Sequence, residues 1–439
     1  MEYNLMSFRV GLIGFGTVGS GAVKTLVENA ALIKQRAGVD IVLSAISDLD
    51  LETDRGVDVS SVHLTQDGWE LIKDPKIDAI IELVGGTSIA KDFVIGALQN
   101  GKDVVTANKA LLAKHGQELF RIAAEQNQKI HFEAAVGGGI PLIQSFEGGL
   151  ASAKITEIQA IINGTSNYIL TNMEESGQPF EDILKEAQAL GYAEMDPTFD
   201  VEGIDAAHKI TIMASLCFGT QVNFDDVYTE GIKDITVEDI HFGAKLGYKL
   251  KLLAIAKDLG SEIDVRVHPT FIPQNLLLSS VKGVFNAVNT YAPGLGTTVL
   301  YGRGAGDLPT GHAVISDLME CARDSVARRA VDYSNYYTPR KKRRPMDDVV
   351  AEYYLRFEVT DRPGVLAKIA GILGDHEISI LSVLQLEAGK QENICPVVIM
   401  THEAKEGDIH HALEHIRELD VVKAPPKLIR IESMLSSLK

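Results

Sequence analysis

The chain has 439 residues, of which 45% are hydrophobic and 23% charged, and its formal net charge is −18. Domains cluster around ~100–150 residues, so this length predicts two or three of them. The acidic balance argues against a nucleic-acid-binding protein, whose surface would be basic. No stretch approaches the ~20 apolar residues of a membrane span, and three scattered cysteines exclude a disulfide framework or a zinc cluster. A soluble, cytoplasmic protein without a signal peptide is expected.

Strands alternate with helices in the first third of the chain. The sequence FRVGLI predicts a buried strand, and GFGTVGSGAVKTLVENAALIKQ predicts a turn followed by one long helix. Further strands are predicted at VDIVLSAISD, IDAIIELVGG, GKDVVTANKALL and QKIHFEAAV. This alternation predicts an α/β domain of the doubly wound Rossmann type, with a parallel sheet, over residues 1–136.

Two further regions follow the parallel domain. Mixed patterns from KITEIQAIING to the helix PTGHAVISDLMECARDSVA predict a second, α+β domain over residues 137–332. Residues 333–350 are polar, charged and contain proline, so they are predicted to be a linker. Residues 351–439 show the order β-α-β-β-α-β, which is typical of a ferredoxin-like module.

A glycine-rich turn after the first strand predicts dinucleotide binding. Its residues are Gly14, Phe15, Gly16, Thr17, Val18 and Gly19. The first glycine permits a tight turn, the second lets a pyrophosphate approach the helix N-terminus, and the third permits close helix–strand packing. Asp48, which closes the second strand, is expected to bind ribose hydroxyls; this favours NAD mildly and leaves NADP open. A packing turn in a nucleotide-free sheet is the alternative.

The sequence GYAEMDPTFDVEGIDAAHKI combines five carboxylates with one lysine, Lys209. On a helix over residues 202–217, Asp205 and Lys209 lie four apart and align with apolar residues, whereas His208 falls on the polar face. A desolvated lysine can handle the proton that accompanies hydride transfer to or from a nicotinamide. The acids could bind the ammonium group of an amino-acid substrate. An exposed ion pair is the alternative.

Two further candidates follow predicted strands. Lys109, in TANKALL, comes at the carboxyl end of a strand, where doubly wound folds bind ligands; a surface lysine is the alternative. Glu133 precedes a glycine run that ends at Pro141. A carboxylate together with loop carbonyls suits a hard cation, and a hinge between domains is the alternative.

Together these motifs resemble those of homoserine dehydrogenases over nearly the whole chain. The matching stretches are GLIGFGTVG, ELVGG, TANKALLA, FEAAVGGGIP, INGTSNYIL, GYAEMDPTFDVEGIDAAHKITIMA and YGRGAGDLPTGHAVISDL. In addition, RPGVLAKIAGILGDHEISI resembles an ACT domain, an amino-acid-sensing βαββαβ module. The resemblance implies reversible, NAD(P)-dependent interconversion of L-homoserine and L-aspartate 4-semialdehyde in threonine, methionine and isoleucine biosynthesis.

The resemblance also implies roles for single residues. Lys209 would be the proton donor and acceptor, and Lys109 a second lysine at substrate and nicotinamide. The implied substrate-binding residues are Gly191, Glu194, Asp200 and Asp205. Outside the glycine turn, the implied cofactor contacts are Asp48, Gly85, Lys109 and Gly302. The implied site for Na⁺ or K⁺ consists of the Glu133 side chain and the carbonyls of Val136, Gly138 and Ile140.

Regulation and assembly are implied in the same way. Ser47 stands where many homoserine dehydrogenases have an arginine for a 2′-phosphate, which puts a strong NADP preference in doubt. An ACT domain implies inhibition by an end product, with threonine expected near Asp361 and Gly364. A homodimer or homotetramer, joined through the second domain, is implied. A non-catalytic sensor of nucleotide and amino acid, or a dehydrogenase of another semialdehyde, is the alternative.

Overall fold

The computed structural model describes residues 7–327, 341–385 and 393–432. The strands are β1 (Ser7–Ile13), β2 (Asp40–Ser47), β3 (His63–Thr65), β4 (Ala79–Glu82), β5 (Asp103–Thr106), β6 (Ile130–His131), β7 (Glu157–Ile161), β8 (Tyr228–Thr229), β9 (Tyr248–Asp258), β10 (Glu262–Pro273), β11 (Phe285–Ala292), β12 (Gly296–Arg303), β13 (Lys342–Arg343), β14 (Val350–Thr360), β15 (Ile380–Gln385), β16 (Ile394–Thr401), β17 (Ala404–Lys405) and β18 (Lys427–Ile431). The helices are α1 (Thr17–Glu28), α2 (Ala30–Ala37), α3 (Gly68–Lys73), α4 (Ile89–Gln99), α5 (Lys109–Gln126), α6 (Gly164–Ser176), α7 (Phe180–Ala189), α8 (Thr198–Val201), α9 (Ile204–Phe218), α10 (Val237–Lys245), α11 (Asp307–Ala327), α12 (Val365–Asp375) and α13 (Glu406–Arg417).

These elements form two compact units, each built from separate stretches of the chain. The first unit comprises Met1–Thr156, Asp205–Val227 and Phe285–Lys341. The second comprises Glu157–Ile204, Tyr228–Val284 and Lys342–Lys439. The predicted domains, in contrast, are consecutive. Among the described residues, no helix combines the length and apolar character that crossing a membrane requires.

The first unit contains the predicted parallel sheet. Its strand order is β3-β2-β1-β4-β5-β6, and every neighbouring pair is parallel. Val10, Leu12, Ile80 and Val104 are fully buried in it, as near-continuous apolar strands predict for a sheet covered on both faces. The strand order reverses between β1 and β4, and the carboxyl ends of these strands form the crevice where doubly wound sheets bind ligands. The Rossmann-type prediction is confirmed.

The long helix predicted after the glycine turn is divided in two. Asn29 leaves the helical conformation between α1 and α2, with φ −106° and ψ 14°. Its Nδ2 donates to the Thr25 carbonyl oxygen at 3.2 Å, a local side-chain contact that competes with continued helix. The prediction of one uninterrupted helix was wrong at this residue.

Helix α11 belongs to the first unit, although its sequence was assigned to the second domain. It crosses α1 at Gly21 and Gly311. A Cβ built on Gly311 would lie 2.4 Å from the carbonyl carbon of Gly21, and one built on Gly21 would lie 2.2 Å from the carbonyl oxygen of Asp307. The two backbones therefore touch, which only glycine allows in a close-packed interior.

The second unit contains the strand order β7-β9-β10-β18-β14-β16-β15. Elements β14, α12, β15, β16, α13 and β18 follow the predicted βαββαβ order, which is confirmed. The pairing of β18 with β10 was not predicted: Thr270 and Phe271 pair in parallel with Arg430 and Ile431. The C-terminal module thus continues the sheet of β9 and β10.

The predicted linker lies only partly within the described residues. Its described part includes β13, which pairs in parallel with Glu262 and Ile263 of β10. This stretch therefore has a fixed place in the second unit beside β10. The predicted linker residues up to 340 lie outside the described ranges.

Replacing Gly311 with alanine should destabilise the first unit. The added methyl group meets α1 backbone rather than a flexible side chain, so we expect a cost of about 1–3 kcal/mol and a lower midpoint of thermal unfolding. Gly116→Ala in α5 is the matched control, because its Cβ would meet Phe120 at an ordinary 3.5 Å. Equal midpoints for the two variants would contradict the close crossing.

Candidate active site

The glycine turn has the geometry that a dinucleotide requires. Gly14 has φ +101°, and a Cβ there would lie 2.6 Å from the Leu83 carbonyl oxygen. A Cβ on Gly16 would meet nothing within 4 Å, so this backbone is open to a ligand. A Cβ on Gly19 would lie 2.3 Å from the Gly14 carbonyl oxygen. No side chain caps the α1 N-terminus, which leaves its first N–H groups for a pyrophosphate.

Asp48 braces this turn from the end of β2. Its Oδ2 accepts the Phe15 N–H at 2.5 Å, and its Oδ1 accepts the Asp50 N–H at 2.9 Å. The sequence did not predict this bracing role. A carboxylate has about four lone-pair positions, so capacity for ribose hydroxyls remains. Neighbouring Ser47 is buried, with 3% of its surface exposed.

A cation lies beside the same turn. The Arg55 guanidinium carbon is 6.0 Å from the ring centroid of Phe15. Its Nη2 is 3.1 Å from the Asp50 carboxylate. The positive charge of Arg55 is therefore already shared between an aromatic face and an acid.

Asp205 joins the two predicted lysines. Its Oδ2 is 2.7 Å from the Lys209 Nζ, and its Oδ1 is 3.2 Å from the Lys109 Nζ. Asp205 and Lys209 are only 6% and 8% exposed, so they are not the exposed surface pair that was the alternative. Lys109 begins α5 and Asp205 lies in the first turn of α9. Two helix starts thus bring both lysines to one carboxylate.

His208, beside Lys209, does not lie on an exposed face. It is 1% exposed, and its ring stacks on Phe224 with the centroids 4.2 Å apart. The prediction of a polar, solvent-facing arc was wrong, because α9 is buried nearly all round. Burial lowers the pKa of His208 to about 4.

Glu133 is a buried carboxylate that holds the following loop. Its Oε1 accepts N–H groups from Leu142 at 2.7 Å and Ile143 at 2.9 Å. Its Oε2 accepts from Gln144 at 2.8 Å. Burial raises the pKa of Glu133 to about 7. The Glu133 side chain, which was predicted to bind a cation, thus accepts hydrogen bonds that hold the loop at residues 142–144.

Asp317 is a site residue that the sequence did not reveal. It is buried in α11, and its Oδ2 accepts the N–H of Glu133 at 2.8 Å. Burial raises its pKa well above the ordinary range. The two residues are 184 positions apart, so no local pattern connects them.

The predicted cation loop and Gly302 lie together in the first unit. The Gly139 N–H donates to the Arg303 carbonyl at 3.0 Å, and a Cβ on Gly302 would lie 3.1 Å from the Ile140 Cγ1. Among the described backbone hydrogen bonds, the Val136 and Gly138 carbonyls accept none. The described residues contain no group of three or more acidic, histidine or cysteine side chains placed for a metal. Carbonyl oxygens suit a hard cation rather than a transition metal.

Three predicted substrate residues lie in the second unit. Gly191 has φ +74° at the turn after α7. Glu194 is exposed, and its carbonyl accepts from the Gln188 Nε2 at 3.0 Å. Asp200 is tied to the start of α6, because its Oδ1 accepts from the Asn163 Nδ2 at 2.7 Å.

The remaining predicted residues lie at turns. Gly85, with φ +79°, follows β4. Gly364, with φ +87°, precedes α12, whose N-terminus has no side-chain cap. The Asp361 N–H donates to the Asn393 carbonyl at 2.7 Å. Gly364 therefore lies at an uncapped helix N-terminus, which suits a carboxylate ligand, and Asp361 directly follows β14.

Three family models match successive parts of the chain. The homoserine dehydrogenase NAD-binding domain matches residues 14–133, homoserine dehydrogenase matches residues 141–319, and the ACT domain matches residues 353–421. The three ranges follow one another along the chain without overlap.

Relatives match over nearly full length. The homoserine dehydrogenase of Neisseria gonorrhoeae is 45% identical, over 97% of this chain and 98% of its own, and that of Pseudomonas aeruginosa is 42% identical over 97% and 99%. A crystal structure of a homoserine dehydrogenase from Thiobacillus denitrificans has a TM-score of 0.92 at 41% identity, covering 98% of this chain and 99% of its own. A hyperthermophilic archaeal homoserine dehydrogenase in complex with NADPH has a TM-score of 0.62 at 26% identity, covering 74% and 100%.

His208 should make the protein less stable as the pH falls from about 6.5 to about 4. Its folded pKa lies below its unfolded value, so the unfolded chain takes up the proton first in this window and protonation favours unfolding. The effect is at most about 3 kcal/mol across the window. His208→Gln should flatten the dependence of the thermal midpoint on pH, measured by circular dichroism. A variant whose midpoints run parallel to those of the parent would refute this.

Proposed function

Because the chain belongs to the homoserine dehydrogenase family, we propose that Lys209 and Lys109, joined by Asp205, handle the proton that accompanies hydride transfer. The chain is an NAD(P)-dependent oxidoreductase that interconverts L-homoserine and L-aspartate 4-semialdehyde. The bound nicotinamide supplies the hydride chemistry. The observation that carries the proposal is the carboxylate of Asp205, which lies within 3.2 Å of both lysine nitrogens.

The contacts of the three side chains fit a proton acceptor. Asp205 contacts both lysines, so it stays paired with one of them when the other acts as the proton acceptor. The accepting amine takes the hydroxyl proton of homoserine; in the reverse direction, the ammonium returns a proton to the carbonyl oxygen. Lys209 is the buried partner and the Lys109 side chain is 36% exposed. Lys109 is therefore the proposed exit of the proton toward solvent.

Substrate binding is assigned to carboxylates. Homoserine carries an ammonium group, which Glu194 and Asp205 would bind. Asp200 would support them, since its link to Asn163 fixes it at the start of α6. Gly191 would line the pocket. Its left-handed conformation favours glycine, and glycine leaves this turn without a side chain.

We propose a mild preference for NAD over NADP. Ser47 offers no charge to a 2′-phosphate, and the carboxylates of Asp48 and Asp50 near the glycine turn would repel one. Arg55 is a candidate counter-charge, but Asp50 already pairs with it. The other proposed contacts are Gly14, Phe15, Gly16, Thr17, Val18, Gly19, Asp48, Gly85, Lys109 and Gly302.

We further propose a monovalent cation, Na⁺ or K⁺, at the loop after Glu133. The carbonyl oxygens of Val136, Gly138 and Ile140 would coordinate it. The carboxylate of Glu133 accepts three N–H groups. Glu133 would therefore coordinate the cation through the remaining lone pair of Oε2. The cation would hold the loop against the Gly302 segment.

Threonine is the proposed effector of the ACT module. Its carboxylate would occupy the uncapped α12 N-terminus at Gly364, and its ammonium group would face the exposed Asp361. A homodimer or homotetramer is also proposed. Support comes from β15, which ends its sheet and exposes Leu381 and Val383, as strands that pair with another chain do. A biosynthetic activity and three free cysteines favour the cytoplasm.

The first test is homoserine oxidation with NAD and NADP in parallel. Lys209→Met should lower kcat at least about 100-fold, because the stem remains while the proton carrier is removed. Cofactor binding, measured by NAD(P)H fluorescence, should change less than about twofold. Lys185→Met, at an exposed lysine of α7, is the control. The expected kcat/KM ratio favours NAD. No oxidation by the parent with either cofactor would favour the sensor or another semialdehyde.

Threonine should inhibit the parent enzyme. Asp361→Ala should raise the threonine concentration for half-inhibition by about tenfold or more, the equivalent of one lost charged contact. The kcat without threonine should stay unchanged. Asp375→Asn, at the opposite end of α12, is the control. An enzyme whose rate and thermal midpoint do not respond to threonine would rule out this effector.

A further inference from the structure

Glu82 is a buried carboxylate without a role in the mechanism above. It ends β4 and has no exposed surface. Its Oε1 accepts the Val84 N–H at 2.9 Å, and its Oε2 accepts the Thr106 hydroxyl at 2.8 Å. Burial raises the pKa of this carboxyl. A buried acid without a cationic partner in these contacts requires an explanation, because burying such a group is costly.

Thr106 links Glu82 to a backbone donor. The Asn108 N–H donates to the Thr106 Oγ1 at 3.0 Å. The Thr106 hydroxyl accepts this N–H and donates its own proton to Glu82. Glu82 therefore acts as the acceptor toward both the turn after β4 and the turn after β5. Its register partner across β4 and β5 is Thr106 itself.

Asn108 carries this network to the lysine site. Its Oδ1 accepts the Leu111 N–H at 3.1 Å and so caps α5, while its Nδ2 donates to the Gly86 carbonyl at 2.7 Å. Lys109 is the next residue and the first of α5. A side chain that caps a helix fixes the direction in which its first residues project.

The network also reaches the glycine turn. The Leu83 N–H donates to the Ile13 carbonyl at 2.8 Å. A Cβ on Gly14 would lie 2.9 Å from the Val84 nitrogen. The segment held by Glu82 is therefore in direct contact with the first glycine of the dinucleotide turn.

We propose that Glu82 is a positioning residue that sets the glycine turn, the turn at Val84–Gly86 and the start of α5 relative to one another. The Val84 contact positions the cofactor turn, and the Thr106–Asn108 contact positions Lys109. The part that concerns Lys109 rests on the proposed role of the two lysines. Loss of the carboxylate should affect cofactor binding and turnover together, whereas loss of the Thr106 contact should affect turnover more than cofactor binding, because Lys109 is only one of the proposed cofactor contacts.

Steady-state kinetics of three variants test this inference. In Glu82→Gln one of the two acceptor oxygens is replaced by a donor, so we expect the cofactor KM to rise and kcat to fall, each about tenfold. Thr106→Val keeps the Val84 contact, so kcat should fall about tenfold while the cofactor KM changes less than about threefold. Thr106→Ser retains the hydroxyl and should restore kcat.

A matched control separates positioning from stability. Lys102 is a buried polar residue just before β5, at the amino-terminal end of the strand, whereas Glu82 and Thr106 lie at the carboxyl ends of theirs. The Lys102 Nζ donates to the Asp74 carbonyl at 2.7 Å. Lys102→Gln should lower the thermal midpoint and leave kcat and KM unchanged. Cofactor KM and kcat of Glu82→Gln within twofold of the parent would overturn the inference. If this variant does not fold, equal kcat values for Thr106→Val and Thr106→Ser would overturn it.

The outcome is distinguishable from that of the proposed lysine chemistry. A fully active Lys209→Met enzyme, with Glu82→Gln still impaired in cofactor KM, would refute the lysine mechanism and leave the carboxylate's effect on the glycine turn in place. An inactive Lys209→Met enzyme beside an unimpaired Glu82→Gln enzyme would support the lysine mechanism and refute the positioning role of Glu82.

Discussion

The contact of Asp205 with two lysines is the constraint on which the proposed proton transfer depends. Removing one partner of a buried charge pair costs about 3–5 kcal/mol, because the remaining charge is left uncompensated. A single lysine that gave up its proton would leave Asp205 in that position. With Lys109 and Lys209 on the same carboxylate, Asp205 keeps one paired lysine when the other takes part in the proposed proton transfer. In the proposed mechanism, the second lysine thus prevents the buried carboxylate from being left without a charged partner.

Three other carboxylates perform one common task along the sheet. Asp48 follows β2, Glu82 ends β4 and Glu133 comes two residues after β6, and each accepts backbone N–H groups of an adjoining loop. Loops at the carboxyl ends of parallel strands carry unpaired N–H groups. A carboxylate at the strand end accepts hydrogen bonds from these N–H groups directly, so no other partner is needed to satisfy them. The acidic residues near these strands therefore hold the loops at the strand ends in place.

The parts of this site that the sequence predicted are those encoded by local spacing. Local spacing encodes the glycine turn and the four-residue interval from Asp205 to Lys209. Each element of the βαββαβ order likewise has its own short periodic pattern. The contacts that were missed join distant residues: Gly21 with Gly311, Glu133 with Asp317, and β10 with β18. His208 was misjudged for a related reason, since a helical projection assumes one solvent face and α9 has almost none.

The continuity of β10 with β18 changes how the C-terminal module is understood. Arg430 and Arg266 are buried, and they pair with Glu230 and Glu432, while Arg356 holds the fully buried Asp239 at 2.7 Å. A sensing domain attached only by a linker would need none of these pairs. Each would leave a buried charge behind if the module moved away, so these pairs hold the module to the sheet. Separating the module from β10 would break several of these buried ion pairs at once, which is far costlier than the loss of a flexible linker contact.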